Sequence, residues 1–187
     1  MNKSLAILIF GAAGSGTTTL GRELARKLDL FHIDIDDYSW EDTKLTYAKR
    51  LPHAKRIVPL ETAIENCDTR FVMTGSICGW GDIFIPLFDA AIFMTTPTDM
   101  RMERLQKREY QIFGERICEG GDMHESHTAF IRYASTYDTG KPPDRCLELH
   151  EKWIEVLPCP VFRIDGSLDY GSQVDNLIKK LLTRVSI

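Results

Sequence analysis

The stretch Leu5-Ala6-Ile7-Leu8-Ile9-Phe10-Gly11-Ala12-Ala13-Gly14-Ser15-Gly16-Thr17-Thr18-Thr19-Leu20 decides the fold. Its first six residues form a continuous apolar run, too short for a helix of its own, and the run stops at a glycine. That pattern predicts a strand buried on both faces, as in a parallel sheet. Behind it Leu20, Leu24, Ala25 and Leu28 fall on one stripe of a helix predicted over residues 17–29. Between strand and helix, residues 11–18 follow the phosphate-binding frame G-x-x-x-x-G-K-[ST] with one departure. Thr17 stands where the frame has lysine.

In such a loop the backbone N–H groups point inward at phosphate oxygens, and the following helix adds its N-terminal dipole. Both contributions come from the backbone and survive the loss of a lysine side chain. Gly11, Gly14 and Gly16 supply the permissive backbone and Ser15 a hydroxyl. Thr18 sits where a hydroxyl ligates Mg²⁺, and Thr19 is placed to reach a second phosphate. What Thr17 removes is a positive charge beside the β- and γ-phosphates, where phosphoryl transfer depends on charge stabilisation. Arg22 is one replacement: it lies at i+4 from Thr18, and helical side chains lean back over the preceding turn of about 5.4 Å. A solvated surface arginine is the plain alternative.

Downstream, residues 30–34, 70–75, 90–94 and 161–165 read as four more strands. A polar helical stretch is predicted over 41–68, another helix from near Pro97, and a last one carrying Val174, Leu177, Ile178, Leu181, Leu182 and Val185. Strands alternating with helices predict an α/β fold, with a five-stranded parallel sheet and helices on both faces. Ligands then bind at the carboxyl ends of the strands. Residues 109–142 contain Gly114, Gly120 and Gly121 and show no clear apolar period, so they read as a mobile lid over the site.

The composition agrees with one enzyme-sized domain. The chain has 187 residues, 43% hydrophobic and 27% charged, with a net charge of −4. An acidic balance gives no general reason to expect nucleic acid as partner, although Lys44, Lys49, Arg50, Lys55 and Arg56 form a local basic cluster. No apolar run approaches the ~20 residues of a membrane span. Five cysteines without a C-x-x-C pair fit a reducing cytoplasm. Cys118, His124 and His127 lie close together, but the partner pair of a structural zinc site is absent.

Asp34 and Asp36 end the second strand, and strict alternation would send both carboxylates to one face. A kinase needs one carboxylate to orient and deprotonate an acceptor hydroxyl and another to support magnesium. Asp36 is the candidate base and Asp34 the Mg²⁺ support, partly through water; Asp37 is a candidate helix cap. Arg101, Arg104 and Arg108, at i, i+3 and i+7, share a helix face that leads into the glycine-bearing segment with Arg116. Such a flap can close on ATP and bring guanidinium groups to the transferring phosphoryl. Lys55 and Arg56 suit an anionic group on the acceptor, or solvent.

Together these residues resemble the small P-loop kinases, which include adenylate and other nucleoside monophosphate kinases, shikimate kinase and gluconate kinase. GAAGSGTTT resembles the P-loop of that family, FHIDIDDY its D-x-D stretch, KRIVPLE its substrate-anion arginine and FVMTGS its glycine turn after strand three. RMERLQKREYQIFGER is similar to the arginine-bearing entrance to the lid, and RIDGSLD to the turn near the adenine. The resemblance implies a three-layer P-loop NTPase fold using ATP and Mg²⁺. It implies that Gly14, Gly16, Thr18 and Thr19 hold phosphates and metal, and that Asp36 and Arg56, with the turn at Gly75, face the acceptor. Arg104 and Arg116 would face the phosphoryl group, and Asp165, Gly166 and Ser167 the base. The DGFPRT motif of adenylate kinase is absent, Thr74-Gly75-Ser76-Ile77 standing there instead, so AMP is not the implied acceptor.

The expectation is therefore a cytoplasmic kinase, monomer or homodimer, moving the γ-phosphoryl of Mg-ATP to a small metabolite or nucleotide. Residues 38–68 would form its acceptor region and 109–142 its lid. The alternative is a P-loop protein that binds nucleotide as a sensor without turnover.

Overall fold

The computed structural model describes residues 4–41, 51–168 and 170–184. Five strands, β1 Leu5–Gly11, β2 Phe31–Asp34, β3 Arg70–Thr74, β4 Ala90–Thr95 and β5 Val161–Asp165, form one parallel sheet in the order β2-β3-β1-β4-β5. Every residue of β1 is buried, as a central parallel strand requires.

Alternation along β1 splits the core in two. Leu5, Ile7 and Ile9 pack with Leu20 and Leu24 of α1 (Thr17–Leu28) and Leu177 and Leu181 of α6 (Tyr170–Arg184). Ala6, Leu8 and Phe10 face the other way, onto Leu60 of α2 (His53–Glu65) and Trp153 of α5 (Leu147–Ile154). This is the three-layer architecture the alternation of elements predicts, with the register aligning the strand ends: Asp34 pairs with Thr74, Gly11 with Met94 and Thr95 with Asp165.

The structure differs from the sequence reading in two segments. The predicted helix over 41–68 begins only at His53, after Pro52, and residues 42–50 with Lys44, Lys49 and Arg50 lie outside the described residues. Residues 109–142, read as lacking a period, are largely helical. Helix α3 (Thr98–Phe113) ends at Gly114, whose φ of 56° suits glycine. A 3-10 turn, Gly114–Ile117, then leads to α4, His124–Ser135. Their apolar residues Phe113, Ile117 and Met123 come from three separate pieces of chain and form one small cluster, so no single period marks them. Among the described residues no helix is long and apolar enough to cross a membrane.

Candidate active site

The loop after β1 is built as its glycines demand. Gly14 and Gly16 have φ of 79° and 101°, a region that side chains other than glycine enter at a cost. A Cβ on Gly14 would also stand 2.7 Å from the Arg101 carbonyl oxygen. The first bond of α1 runs from the Leu20 N–H to the Gly16 carbonyl, so the N–H groups ahead of it are left at the helix end. Ser15 is fully buried, and its hydroxyl has no hydrogen-bond partner. A buried, unpartnered hydroxyl in a glycine loop that leads into a helix N-terminus fits an oxyanion such as a nucleotide phosphate. Thr17 is half-buried at the first position of α1 and brings no charge there.

Thr18 Oγ1 donates to Asp34 Oδ2 at 3.1 Å, which joins the end of the loop to the end of β2. Strand alternation stops at Asp34. The chain turns into a 3-10 helix, Ile35–Tyr38, whose start Asp34 caps by accepting from the Asp36 N–H at 3.2 Å. Asp34, not Asp37, is therefore the cap, and Asp36 and Asp37 are exposed beside it. Burial first, and the neighbouring Asp36 charge second, push the Asp34 carboxyl above the ordinary carboxylate range. A cation held between Thr18 and Asp34 would act in the opposite direction.

The three arginines of α3 have three different fates. Arg101 is fully buried and structural: Nε donates to the Thr96 carbonyl at 3.0 Å and NH1 to those of Ala134 at 3.0 Å and Ala13 at 3.4 Å. NH2 completes the clamp on Thr98 Oγ1 and Asp138. Arg104, half-buried, donates to the Gly166 carbonyl at 2.9 Å and the Ser15 carbonyl at 3.5 Å, so it spans the phosphate loop and the turn after β5. Arg108 is exposed and paired with the buried Glu109. Arg116 is held by both oxygens of Asp122, at 3.0 and 2.7 Å, with both side chains exposed. Arg22 is exposed on α1 off its buried stripe, and its charge is felt at His32 of β2.

The turn after β5 comes close to the loop. The Gly166 N–H donates to the Thr95 carbonyl at 2.8 Å, and a Cβ there would stand 2.6 Å from the Ser15 carbonyl oxygen. Only glycine fits that approach. Asp165 closes the turn by accepting from the Ser167 N–H and hydroxyl.

On the far side of the loop, Gly75 has φ 108° and packs against Ile35 of the acidic turn. Arg56 is buried, donates Nε to the Leu51 carbonyl at 2.8 Å and lies 4.6 Å from the centre of the Trp80 ring. Lys55 is exposed. Trp80 Nε1 donates to the Ser76 carbonyl at 3.0 Å. The Ser76 hydroxyl lies 2.8 Å from His150 Nε2, and Tyr137 OH 2.7 Å from His150 Nδ1. This buried chain carries no sequence signal, because its members come from three distant elements. A concavity between β5 and α6, lined by Val161, Ile164, Gln173 and Leu177 among others, lies elsewhere, and no residue of the glycine loop lines it. His124 meets the Ile117 carbonyl, and among the described residues no three metal-ligating side chains converge.

The chain belongs to the AAA domain family, whose model matches residues 7–122. Its fold is that of the small P-loop kinases. It is 35% identical over 181 residues to the uncharacterized protein YqaC of Bacillus subtilis (strain 168), covering 97% of this chain and 98% of that one. It is 27% identical over 150 residues to a cytidylate kinase of Pyrobaculum islandicum, 72% of this chain and 76% of that one. Among solved structures, shikimate kinase from Bacteroides thetaiotaomicron matches with a TM-score of 0.56 at 18% identity, over 98% of this chain and 99% of the other.

Proposed function

We propose that the chain is an ATP-dependent kinase for a small acceptor. The reading is carried by one observation: the buried, unpartnered Ser15 hydroxyl lies in a glycine loop joined to Asp34 on one side and to Arg104 and Gly166 on the other. The loop N–H groups and Ser15 would hold the phosphates, and the turn Asp165-Gly166-Ser167 the base end of the nucleotide. Thr18, Thr19 and Asp34 would face magnesium and the outer phosphates; a bound magnesium supplies neutralising charge. Asp36 takes the proton of the acceptor hydroxyl as its oxygen forms a bond to the γ-phosphorus. The bond to the β,γ-bridging oxygen breaks, and ADP leaves with that electron pair.

Arg101 reaches the loop at the Ala13 carbonyl but is fully buried in its clamp. Arg104 touches the loop at Ser15 and stays half-exposed, which supports the view that its guanidinium substitutes for the missing lysine. Arg22 and Arg116 are further sources, Arg116 only after it leaves Asp122. Residues 109–142 would act as the lid, 38–68 with Gly75 as the acceptor wall, in a cytoplasmic monomer or homodimer. Thr17 favours a second reading, a sensor that binds nucleotide without turnover.

Calorimetric titration with a nonhydrolysable ATP analogue is expected to give micromolar binding that needs Mg²⁺. No binding would end both readings. ADP formation with cytidylate, shikimate or gluconate as acceptor then separates kinase from sensor. Arg104→Ala is expected to lower kcat about tenfold with the KM for ATP little changed, as for a group acting mainly in the transition state. A change in ATP affinity alone, with no acceptor phosphorylated, would favour the sensor.

A further inference from the structure

The Tyr137–His150–Ser76 chain has no part in nucleotide binding as described above, yet it ends in the turn that faces the acceptor. Ser76 follows Gly75, which packs on Ile35 between Asp34 and Asp36. Its carbonyl holds Trp80, on which the Arg56 guanidinium lies. The Ser76 side chain is half-buried, whereas Tyr137 and His150 are inside.

The direction of this chain follows from counting hydrogens. Burial, with the nearby Arg145 charge, drives the His150 pKa down to about 3, so the ring is neutral and has one N–H. Burial also pushes the Tyr137 hydroxyl well above the ordinary phenol range, so it keeps its proton. If Nδ1 carried the ring proton, Tyr137 would accept from it, and the phenolic hydrogen would be buried without an acceptor. Such a group costs about 1–3 kcal/mol. If Tyr137 donates to Nδ1, the ring proton sits on Nε2 and goes to Ser76 Oγ. Both buried hydrogens are then used, and the hydrogen of the half-buried Ser76 hydroxyl is left for an acceptor other than His150.

We propose that Tyr137 and His150 are positioning residues that fix Ser76 as a hydrogen-bond donor to an oxyanion, carboxylate or phosphate, on the kinase's acceptor. The assignment rests on the kinase reading. It adds the chemical class of acceptor: one that offers an acceptor-only oxygen beside Ser76, in the neighbourhood of the Arg56 charge. A neutral polyol, whose hydroxyls donate as well as accept, gains less there.

The test uses the full chain labelled with ¹⁵N-histidine, its His150 signals assigned by loss in His150→Gln. The phosphate loop is first filled with Mg²⁺ and the nonhydrolysable ATP analogue. Inorganic phosphate, cytidylate, shikimate and gluconate are then added in turn. The protein alone is expected to show one neutral tautomer with the proton on Nε2; a proton on Nδ1 overturns the assignment. At least one anion is expected to shift the Nε2 signal, with its affinity falling about tenfold in Ser76→Ala and restored in Ser76→Thr. For an acceptor that is turned over, Ser76→Ala is expected to raise its KM about tenfold and leave the KM for ATP unchanged.

An Nε2 signal that no anion moves overturns the role of Ser76. So does transfer with an unchanged acceptor KM in Ser76→Ala, or a loss that Ser76→Thr does not restore. Binding that moves the signal without any ADP formation overturns the kinase reading instead and leaves the Ser76 site standing.

Discussion

Arg101→Ala is expected to lower the stability of the fold by about 3–5 kcal/mol, the range for removing one partner from a buried charged network. The side chain is fully buried and is the hub of five hydrogen bonds from three nitrogens. Its loss leaves the Thr96 and Ala134 carbonyls without this donor, and each buried acceptor so stranded costs about 1–3 kcal/mol. It also removes the guanidinium from the Tyr137 ring, 5.4 Å away. With a urea m-value of about 2 kcal/mol/M, the denaturation midpoint should fall by about 2 M. Arg101→Lys keeps a charge but cannot fork to carbonyls in different directions, so it should recover less than half of that loss. Asp138→Ala should cost under about 1 kcal/mol, since Asp138 is 42% exposed in its ion pair. A midpoint for Arg101→Ala within about 0.5 M of the parent would show that the clamp is replaceable.

Arg101 also marks the limit of what the sequence makes legible. The row Arg101, Arg104, Arg108 follows helical spacing, and spacing places residues on a face without saying what that face meets. Arg101 meets the carbonyls of three elements and becomes structural; Arg104, one turn on, meets the loop; Arg108 meets Glu109. The sheet was legible for the opposite reason. Leu5–Phe10 is apolar at every position, and a strand covered on both faces tolerates nothing else. The glycine loop was legible because its constraints are local: positive φ at Gly14 and Gly16 and close approach at Gly11 need no distant partner to be recognised. Asp34 and Asp36 were legible as an acidic pair at the end of β2 but not as a pair on one face, because capping ends the strand at Asp34. The Ser76–His150–Tyr137 chain was invisible, since each member alone reads as an ordinary polar residue. Only the packing of α5 against Phe10 and Phe93 buries the imidazole and forces it to find partners.

That buried imidazole carries the second large effect, a loss of stability in mild acid. In the unfolded chain a histidine takes up a proton below about pH 6.5, while His150 in the fold refuses it until about pH 3. Between those values the unfolded state binds more protons, so stability rises with pH and falls on acidification. From pH 7.5 to pH 5 the integrated loss is about 2 kcal/mol. His32, also depressed mainly by burial and then by the Arg22 charge, adds a contribution of the same sign. The charges that act on His150 are Arg145, which lowers its pKa, and Glu151, which raises it, and its ring partners Ser76 and Tyr137 are neutral in this window. Lowered carboxylates such as Glu148, held at about 2 by Lys141 and Lys152, lose their contribution only below about pH 4.5 and leave the window to the histidines. Asp34, raised by burial, acts in the opposite sense. The measurement is urea unfolding at pH 7.5 and pH 5 for the parent and for His150→Gln. The variant is expected to be less stable at pH 7.5 yet to lose about 2 kcal/mol less between the two pH values, because glutamine has no proton to refuse. An unchanged pH dependence in His150→Gln would mean that the imidazole protonates inside the fold, and the neutral relay that fixes Ser76 would fall with it.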